Sequence, residues 1–391
     1  MITRRNLLAT AAAASLIRPK LLQAQTTGVT PIFINWGGWY SLANPSRENW
    51  AQLSPAQFQF RAPWFCKVLG PDRLACEGTQ ADVDIEIQAA ANAGVKAFAY
   101  VNGPKFAGDN SSIYQSYALY NTSAYKSSVK FVAYIGQEEF GNNPWSNTAA
   151  WQSHCNWWVA NIFPQSNYLK IGGRPILIIS WHQSALATHH ANNTANVLTS
   201  INYLRSQSIA AGQGSPYIIS RADPWGAPSS AEAAVYYGAN AITDYVPALL
   251  NSALPNTAAD LDTMTQAWWA AKMAEATTAG IKYVPNAILG WDRRPRLQMP
   301  NGTDATVPWS GHDAYWTRGT PAQVATHLQN CINFIGANPT MCDLKLMFVY
   351  AWNECSEGGT TGIPIISDPP TGTPPTTNML NAIKPVLTAA A

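Results

Sequence analysis

Eight apolar runs of strand length recur along the chain, and helix-like stretches separate many of them. The runs lie at Pro31–Trp36, Lys96–Asn102, Val129–Ile135, Pro175–Ser180, Pro216–Ser220, Ala239–Val246, Lys282–Leu289 and Leu344–Trp352. The helical stretches are clearest at Ala81–Ala93, Ala149–Ile162, Val197–Ala211, Asp260–Ala279 and Pro321–Ile335. Continuously apolar strands that alternate with helices form parallel sheets covered on both faces. The pattern therefore predicts an α/β fold.

The number of strands indicates the architecture. Because eight parallel strands close into a barrel, the sequence predicts a single (β/α)8 domain, a TIM barrel with long decorated loops, over residues 26–391. A doubly wound open sheet is the alternative. That fold is usually marked by a glycine-rich phosphate-binding turn after an early strand, and no such turn occurs in the sequence.

The N-terminal residues 1–25 have the pattern of an export signal. Arg4 and Arg5 precede a short alanine-rich apolar stretch, which ends well before the roughly 20 residues that a membrane span requires. The adjacent arginines are typical of the twin-arginine route. A frayed amphipathic helix is the alternative. The export signal predicts a periplasmic or secreted protein without a membrane span.

The net charge of the chain and the spacing of its potential metal ligands indicate which classes of binding partner are expected. The signal contains four of the 24 Lys and Arg residues and none of the 22 acids, so the remainder has 20 basic and 22 acidic residues, a formal net charge of −2. Nucleic-acid partners require a basic face, which argues against this class. No CxxC or HExxH occurs, and His182, His189 and His190 lack metal-ligand spacing with an acid. We expect no metal and no cofactor; the oligomeric state stays open.

The six cysteines leave the disulfide pairing open. Cys66 and Cys76, and likewise Cys331 and Cys342, are near enough in sequence to bridge short loops in an exported protein. Sequence spacing does not supply the geometry that a disulfide needs, so either pair could also stay reduced. Cys155 and Cys355 lie in apolar surroundings and are predicted to be buried thiols.

Polar and aromatic residues follow the ends of the predicted strands. In a TIM barrel these ends meet on one face, where active sites are built. Two acids, Glu354 and Glu357, follow the eighth run in FVYAWNECSEGG, although only 12% of the chain is charged. The candidate substrate-binding residues at the strand ends are Trp36, Trp39, Tyr100, Asn102, Trp181, His182, Trp291, Asp292, Arg296, Trp352 and Asn353.

Paired carboxylates among aromatic rings are typical of glycan cleavage. One acid protonates the leaving oxygen while the other acts as base or nucleophile. The apolar faces of sugars pack on flat aromatic rings, which bury a large area at low entropic cost. Glu354 and Glu357 are therefore the candidate catalytic residues, and the predicted partner is a glycan. Glu138 and Glu139, after the third run, are weaker candidates for a more distant second acid.

Four segments of the chain carry the motifs of one protein family. YAWNECSEG, at 350–358, is similar to an Asn-Glu-Trp-x-Glu-Gly motif, and GWDRRPR, at 290–296, resembles a Gly-Trp-Asp-x-x-Pro-Arg stretch. Both motifs are those of the glycoside hydrolase family 99-like proteins, also called WbsX-like, which are related to endo-α-mannosidases. KIGGRPILIIS, at 170–180, resembles the family's fourth strand. DVDIEIQAAANAGVKAFAY, at 82–100, resembles its early helix and strand.

The resemblance implies roles for individual residues. Glu354 would be the base-like carboxylate and Glu357 the general acid, while Asp292 and Arg296 would line the pocket. The implied mechanism retains configuration: the base deprotonates the sugar 2-hydroxyl, which attacks C1 to give a 1,2-anhydro sugar. Two departures concern the eighth-strand motif, because Cys355 stands in place of an aromatic residue and TTGIPIIS replaces a Leu-Glu-Pro.

Other interpretations stay open at this point. Glu354 and Glu357 could instead belong to structural ion pairs with basic residues or cap a loop at the barrel rim, and Asp292 could pair with the neighbouring arginines. A barrel that binds glycans without cleaving them, or an accessory protein of polysaccharide assembly, would fit the same architecture. The paired acids favour the hydrolase, because a binding protein does not need them.

Overall fold

The computed structural model describes residues 28–37, 49–101, 103–104, 115–135, 148–181, 194–222, 235, 238–245, 258–288, 290–292, 294–297, 315–359 and 362–390. The predicted export signal at 1–25 lies outside the described residues. None of the described helices combines the length and hydropathy that a bilayer span requires.

Parallel strands form a barrel, as predicted. They are β1 Thr30–Asn35, β2 Ala97–Val101, β3 Lys130–Ile135, β4 Arg174–Trp181, β5 Tyr217–Ala222, β6 Ala241–Asp244, β7 in the two pieces Lys282–Tyr283 and Asn286–Ile288, and β8 Leu346–Tyr350. Each strand pairs in parallel with the next one along the chain, and β8 pairs with β1. This sequential order with a closing pair confirms the (β/α)8 barrel and excludes the open doubly wound sheet.

The barrel closes through a change of partner inside β7. The first piece pairs with β6, where the Val284 N–H donates to the Ile242 carbonyl at 2.9 Å. The second piece pairs with β8, where the Phe348 N–H donates to the Pro285 carbonyl at 3.0 Å. Pro285 has no N–H of its own to continue a ladder. The run predicted as one strand is therefore split at the proline.

Helices surround the barrel. The longer ones are Gln80–Asn92, Gln115–Thr122, Thr148–Asn161, Thr194–Ala210, Ala258–Ala279, Pro321–Ala337 and Asn378–Ala390, and short helical turns occur at Asn49–Gln52 and Arg294–Leu297. Capping boxes start two of them, with Thr79 bonded to Asp82 and Thr320 to Gln323. All five predicted helices are present with ends shifted by a few residues. The C-terminal helix, which contains Pro385, was not predicted.

Side chains alternate along the strands between the barrel interior and the surrounding helices. The interior residues, here called the lumen cluster, include Ile32, Ile34, Ala99, Val132, Ile178, Ile219, Ile288, Phe348 and Tyr350. The opposite faces of the same strands form an outer core with the helices, and include Phe33, Phe98, Phe131, Leu177, Ile218, Ala287 and Val349. A side chain's place in this alternation decides whether it can belong to a site in the barrel mouth.

A disulfide closes a small hairpin in the loop after β1. The hairpin strands are Lys67–Gly70 and Arg73–Ala75, and Cys66 and Cys76 at their ends are bonded, which confirms one of the two possible bridges. The other bridge is absent, because Cys331 and Cys342 are buried free thiols. Cys155 and Cys355 are also buried thiols, as predicted.

One buried acid of the outer core makes stability depend on pH. Asp244, at the end of β6, accepts a hydrogen bond from the Tyr283 hydroxyl at 3.1 Å. Burial raises the pKa of Asp244 from 3.8 to about 6, although Lys272 and the bond from Tyr283 oppose the shift. Between about pH 4 and 6 the unfolded chain therefore ionises this carboxyl while the folded protein keeps it protonated.

We expect the free energy of unfolding to fall by about 2–3 kcal/mol through this group as the pH rises from 4 to 7. Asp244→Asn removes the ionisation, so its unfolding free energy is expected to decline less over the same range. Urea unfolding at both pH values measures the difference. Asp72→Asn, at an exposed position, is the control and is expected to follow the wild type. An unchanged decline in Asp244→Asn would contradict the assignment.

Candidate active site

The loop after β8 folds back on itself and buries both glutamates. Glu354 is 2% and Glu357 is 6% exposed. The turn is closed by the Gly359 N–H, which donates to the Glu354 carbonyl at 3.0 Å, and by the Ala351 N–H, which donates to the Gly359 carbonyl at 2.7 Å. Inside this turn, Cys355–Glu357 form one turn of 3-10 helix. Both carboxyl groups thus lie on one rigid loop at the carboxyl end of β8.

Two tyrosines of the barrel interior contact the two glutamates. The Tyr350 hydroxyl donates a short hydrogen bond to Glu357 Oε2. The Tyr245 hydroxyl lies 3.5 Å from Glu354 Oε2. The two tyrosine rings pack edge to face with their centroids 4.7 Å apart, and both belong to or pack against the lumen cluster. Through this tyrosine pair the structure brings both glutamates to the same end of the lumen.

Both phenols are held neutral. Burial raises the pKa of Tyr245 well above its ordinary value, and the charges of Glu354 and Glu357 raise it further. Burial, followed by the charge of Glu357, has the same effect on the pKa of Tyr350. A phenol that keeps its proton remains a hydrogen-bond donor. Each tyrosine can therefore orient a carboxylate without adding negative charge.

An arginine brings a positive charge to the same place. Arg221, near the end of β5, places its guanidinium 4.1 Å from the centre of the Tyr245 ring. Its Nη1 donates to the Tyr134 hydroxyl at 2.7 Å. The charge of Arg221 lowers the pKa of Tyr245 and so opposes the larger effects of burial and the two glutamates. The site therefore contains a fixed cation as well as two carboxyl groups.

The paired glycines after Glu357 are required by local geometry. Gly358 has a φ of 75°, in the left-handed region that favours glycine. A Cβ on Gly359 would lie 2.3 Å from Cε1 of Tyr350, closer than side chains approach. Only glycine at 359 lets the loop lie against the Tyr350 ring, so these residues determine where Glu357 is placed.

Asp292, after β7, holds the loop from the opposite side. Its backbone N–H donates to the Glu357 carbonyl at 2.6 Å. Its carboxylate bonds Arg294 Nε at 2.9 Å and also pairs with Arg61. Burial alone raises the pKa of Asp292, but the bonds from Arg294 and Arg61 and the charge of Arg61 outweigh it and hold the pKa below its ordinary value. Asp292 is thus an ionised anchor within an ion-paired cluster.

Asn353 links the ends of β1 and β8. Its Oδ1 accepts from the Trp36 N–H at 2.6 Å, and its Nδ2 donates to the Trp36 carbonyl at 2.7 Å and to Asn35 Oδ1 at 3.2 Å. The residue is fully buried. These bonds fix the residue next to Glu354 and give Asn353 a structural role in joining the two strand ends.

Two predicted substrate contacts face away from the lumen. Tyr100 belongs to the outer core and packs on Tyr117 and Tyr120, because Ala97, Ala99 and Val101 are the inward positions of β2. Trp352 packs on Phe33 and Phe98 in the outer core, and its Nε1 donates to Glu86 at 2.9 Å. The prediction of glycan contact is wrong for these two residues, since both lie between barrel and helices.

The remaining candidates divide into two groups. Trp291 is buried in the lumen cluster with its ring 5.8 Å from that of Tyr350, and Trp36 packs against the same cluster. Trp39, Asn102, His182, Glu138 and Glu139 lie outside the described residues, as do the side chains of Trp181 and Arg296. The structure thus brings Glu354 and Glu357 together with Trp36 and Trp291.

Several site residues are not among the catalytic and substrate-binding candidates selected from the sequence. They are Arg61, Tyr134, Arg221, Tyr245 and Tyr350. Arg221 and Tyr245 do stand at strand ends, which is the one sequence feature that could have identified them. Within the described part of the chain, no group of three or more His, Cys, Asp or Glu side chains is arranged to hold a metal ion.

Comparison with known proteins supports the fold. No protein-family model matches the chain, and no curated protein matches it in sequence. Among solved structures, one described as a glycoside hydrolase-like protein is similar at a TM-score of 0.57 and 16% identity, covering 90% of this chain and 91% of that chain. The GH99 endo-α-mannosidase from Bacteroides thetaiotaomicron is similar at a TM-score of 0.55 and 13% identity, covering 93% and 97%. The chain therefore shares the barrel fold of these proteins along almost its whole length.

Proposed function

We propose that the protein is an exported glycoside hydrolase that cleaves a glycosidic bond in a polysaccharide or oligosaccharide with retention of configuration. The observation that carries the proposal is the pair of buried carboxyl groups, Glu354 and Glu357, on one loop at the carboxyl end of β8. Both acids are held by tyrosine hydroxyls at the carboxyl end of a barrel strand, which is where the active sites of such barrels are built and which favours a chemical role. The proposed location, periplasmic or extracellular, follows from the signal-like residues 1–25.

In the proposed mechanism the two glutamates have different tasks. Glu357 protonates the oxygen of the leaving sugar, while Glu354 takes the proton of the 2-hydroxyl, which attacks C1 and forms a 1,2-anhydro sugar. Water then opens this ring with the two roles reversed, and configuration is retained. The Tyr350 and Tyr245 hydroxyls orient the two carboxyl groups, and the loop geometry at Gly358 and Gly359 holds them in place.

The aromatic residues of the lumen provide the proposed sugar surface. Trp291 and Trp36 lie with the lumen cluster near Tyr350, where flat rings can pack on the apolar face of a sugar. Trp39, Asn102, Trp181, His182 and Arg296 remain proposed contacts. A barrel that only binds glycans would use the same rings, but it would have no need of two carboxyl groups on one loop.

The proposal is tested by incubating the purified protein with a panel of polysaccharides and oligosaccharides. We expect shortened products from at least one of them, with the released anomer initially matching that of the substrate by NMR. The matched control is the Glu354→Gln/Glu357→Gln double variant, which is expected to release none. Glycan binding without any product would overturn the hydrolase proposal in favour of a binding protein.

A further inference from the structure

Residues 49–79, in the loop between β1 and helix Gln80–Asn92, lie at the mouth of the barrel, because the loops that follow parallel strands gather at this face. Their position is also fixed by contacts. Arg61 pairs with Asp292 after β7, and the Ala62 carbonyl accepts from the Ile366 N–H at 2.8 Å in the segment after β8. This loop therefore borders the same opening as Glu357, whose carbonyl bonds the Asp292 N–H at 2.6 Å.

Phe60 is an exposed aromatic residue on this loop. Its side chain is 50% exposed, although large aromatic residues are usually mostly buried. The Arg61 guanidinium lies 5.5 Å from the centre of the Phe60 ring. The Phe60 backbone carbonyl accepts a hydrogen bond from the Ser367 N–H at 3.4 Å. The contacts through Arg61 and Asp292 connect the Phe60 ring to the loop that carries Glu357.

Hydrogen bonds and a disulfide hold the segment that carries Phe60. Gln59 Nε2 donates to the Ser54 carbonyl at 2.7 Å and to the Gly70 carbonyl at 3.0 Å, which joins the turn to the hairpin. The disulfide between Cys66 and Cys76 closes the base of that hairpin. Phe58, on the other side of Gln59, is buried in the outer core. A ring held in this way is preorganised, so little conformational entropy is lost when a ligand packs on it.

We propose that Phe60 is a platform for a sugar unit outside the cleavage site, and that the substrate is therefore a chain of several sugars. The inference rests on the proposed function, since it takes the bond to be cleaved to lie at Glu354 and Glu357. A glycan that occupies the barrel mouth beside Glu354 and Glu357 and extends across the rim would pass the loop that carries Phe60. The exposed apolar ring suits the C–H face of a sugar, and the neighbouring Arg61 is already paired with Asp292.

The test compares Phe60→Ala with Phe60→Trp and with Tyr125→Ala. Tyr125 is a matched control, because it is 41% exposed but lies just before β3, at the opposite end of the barrel. Binding is measured by the retardation of each protein in native gels that contain the polysaccharide. KM is measured on the same polysaccharide and on a short aryl glycoside of its sugar. Thermal unfolding checks that each variant is folded.

We expect Phe60→Ala to weaken binding of the polysaccharide. We also expect this variant to raise KM about tenfold more on the polysaccharide than on the aryl glycoside, because the loss of one aromatic contact changes affinity by about this factor. Phe60→Trp is expected to retain binding, and Tyr125→Ala to behave as the wild type. Wild-type binding and cleavage in Phe60→Ala would overturn the platform while leaving the hydrolase proposal intact.

The gel measurement separates the two proposals. If the wild type is retarded by a polysaccharide but cleaves none, the hydrolase proposal fails, and the loss or retention of retardation in Phe60→Ala still decides the platform. If no polysaccharide is either bound or cleaved, both proposals are overturned. An equal loss of binding in Tyr125→Ala would also count against a role specific to Phe60.

Discussion

Glu357→Gln is expected to lose at least about 10²-fold in turnover on a polysaccharide and to regain much of that loss on an activated aryl glycoside of the same sugar. The glutamine cannot protonate the leaving oxygen, which is a poor leaving group in a polysaccharide. An activated aryl group leaves with little protonation, so the missing acid matters less. Steady-state turnover of the two substrates by the same variant measures the effect.

Glu354→Gln provides the contrasting result. If Glu354 removes the proton of the 2-hydroxyl, every substrate needs it, so turnover is expected to stay at least about 10²-fold low on both substrates. Glu77→Gln is the matched control, because Glu77 is exposed. Undiminished cleavage by folded variants of both glutamates would remove them from the mechanism. Recovery of Glu354→Gln but not of Glu357→Gln on the aryl glycoside would reverse the two roles.

The fold could be predicted because its strands are continuously apolar and because strands that follow each other in the sequence are neighbours in the barrel. Runs such as Ile176–Ile179 in β4 are buried on both faces and cannot be mistaken for exposed segments. The split of β7 was missed, because the pairing on each side of Pro285 depends on strands that are distant in sequence. The bond between Arg61 and Asp292 joins residues 231 positions apart, which no local pattern reveals.

The candidate site was predicted only in part, for a related reason. Glu354 and Glu357 stand out because acids are rare in this chain and these two follow a strand. Tyr350 does not stand out, since a tyrosine in an apolar run resembles ordinary core. Tyr100 was misplaced because its position at a strand end outweighed the alternation of side chains, which turns it toward the helices.

Gly359→Ala is expected to lower both stability and turnover. The new Cβ would lie 2.3 Å from Cε1 of Tyr350, and that ring is fully buried. The ring or the loop must move, at a cost of about 1–3 kcal/mol in the free energy of unfolding, the range for overpacked sites. The hydrogen bond from Tyr350 to Glu357 is then displaced, so turnover falls as well.

A double-mutant cycle with Tyr350→Leu isolates this contact. Leucine has no atom at the Cε1 position, so Gly359→Ala is expected to destabilise the Tyr350→Leu background much less than the wild type, and the two effects are not additive. Urea unfolding of the four proteins gives the coupling. The cycle also separates packing from chemistry: Tyr350→Leu removes the Cε1 and Cζ atoms and so reduces the overlap, but it cannot restore the hydrogen bond to Glu357. The double variant is therefore expected to be more stable than the sum of the two single effects predicts, without recovering turnover, and additive free energies would show that the ring and the glycine do not constrain each other.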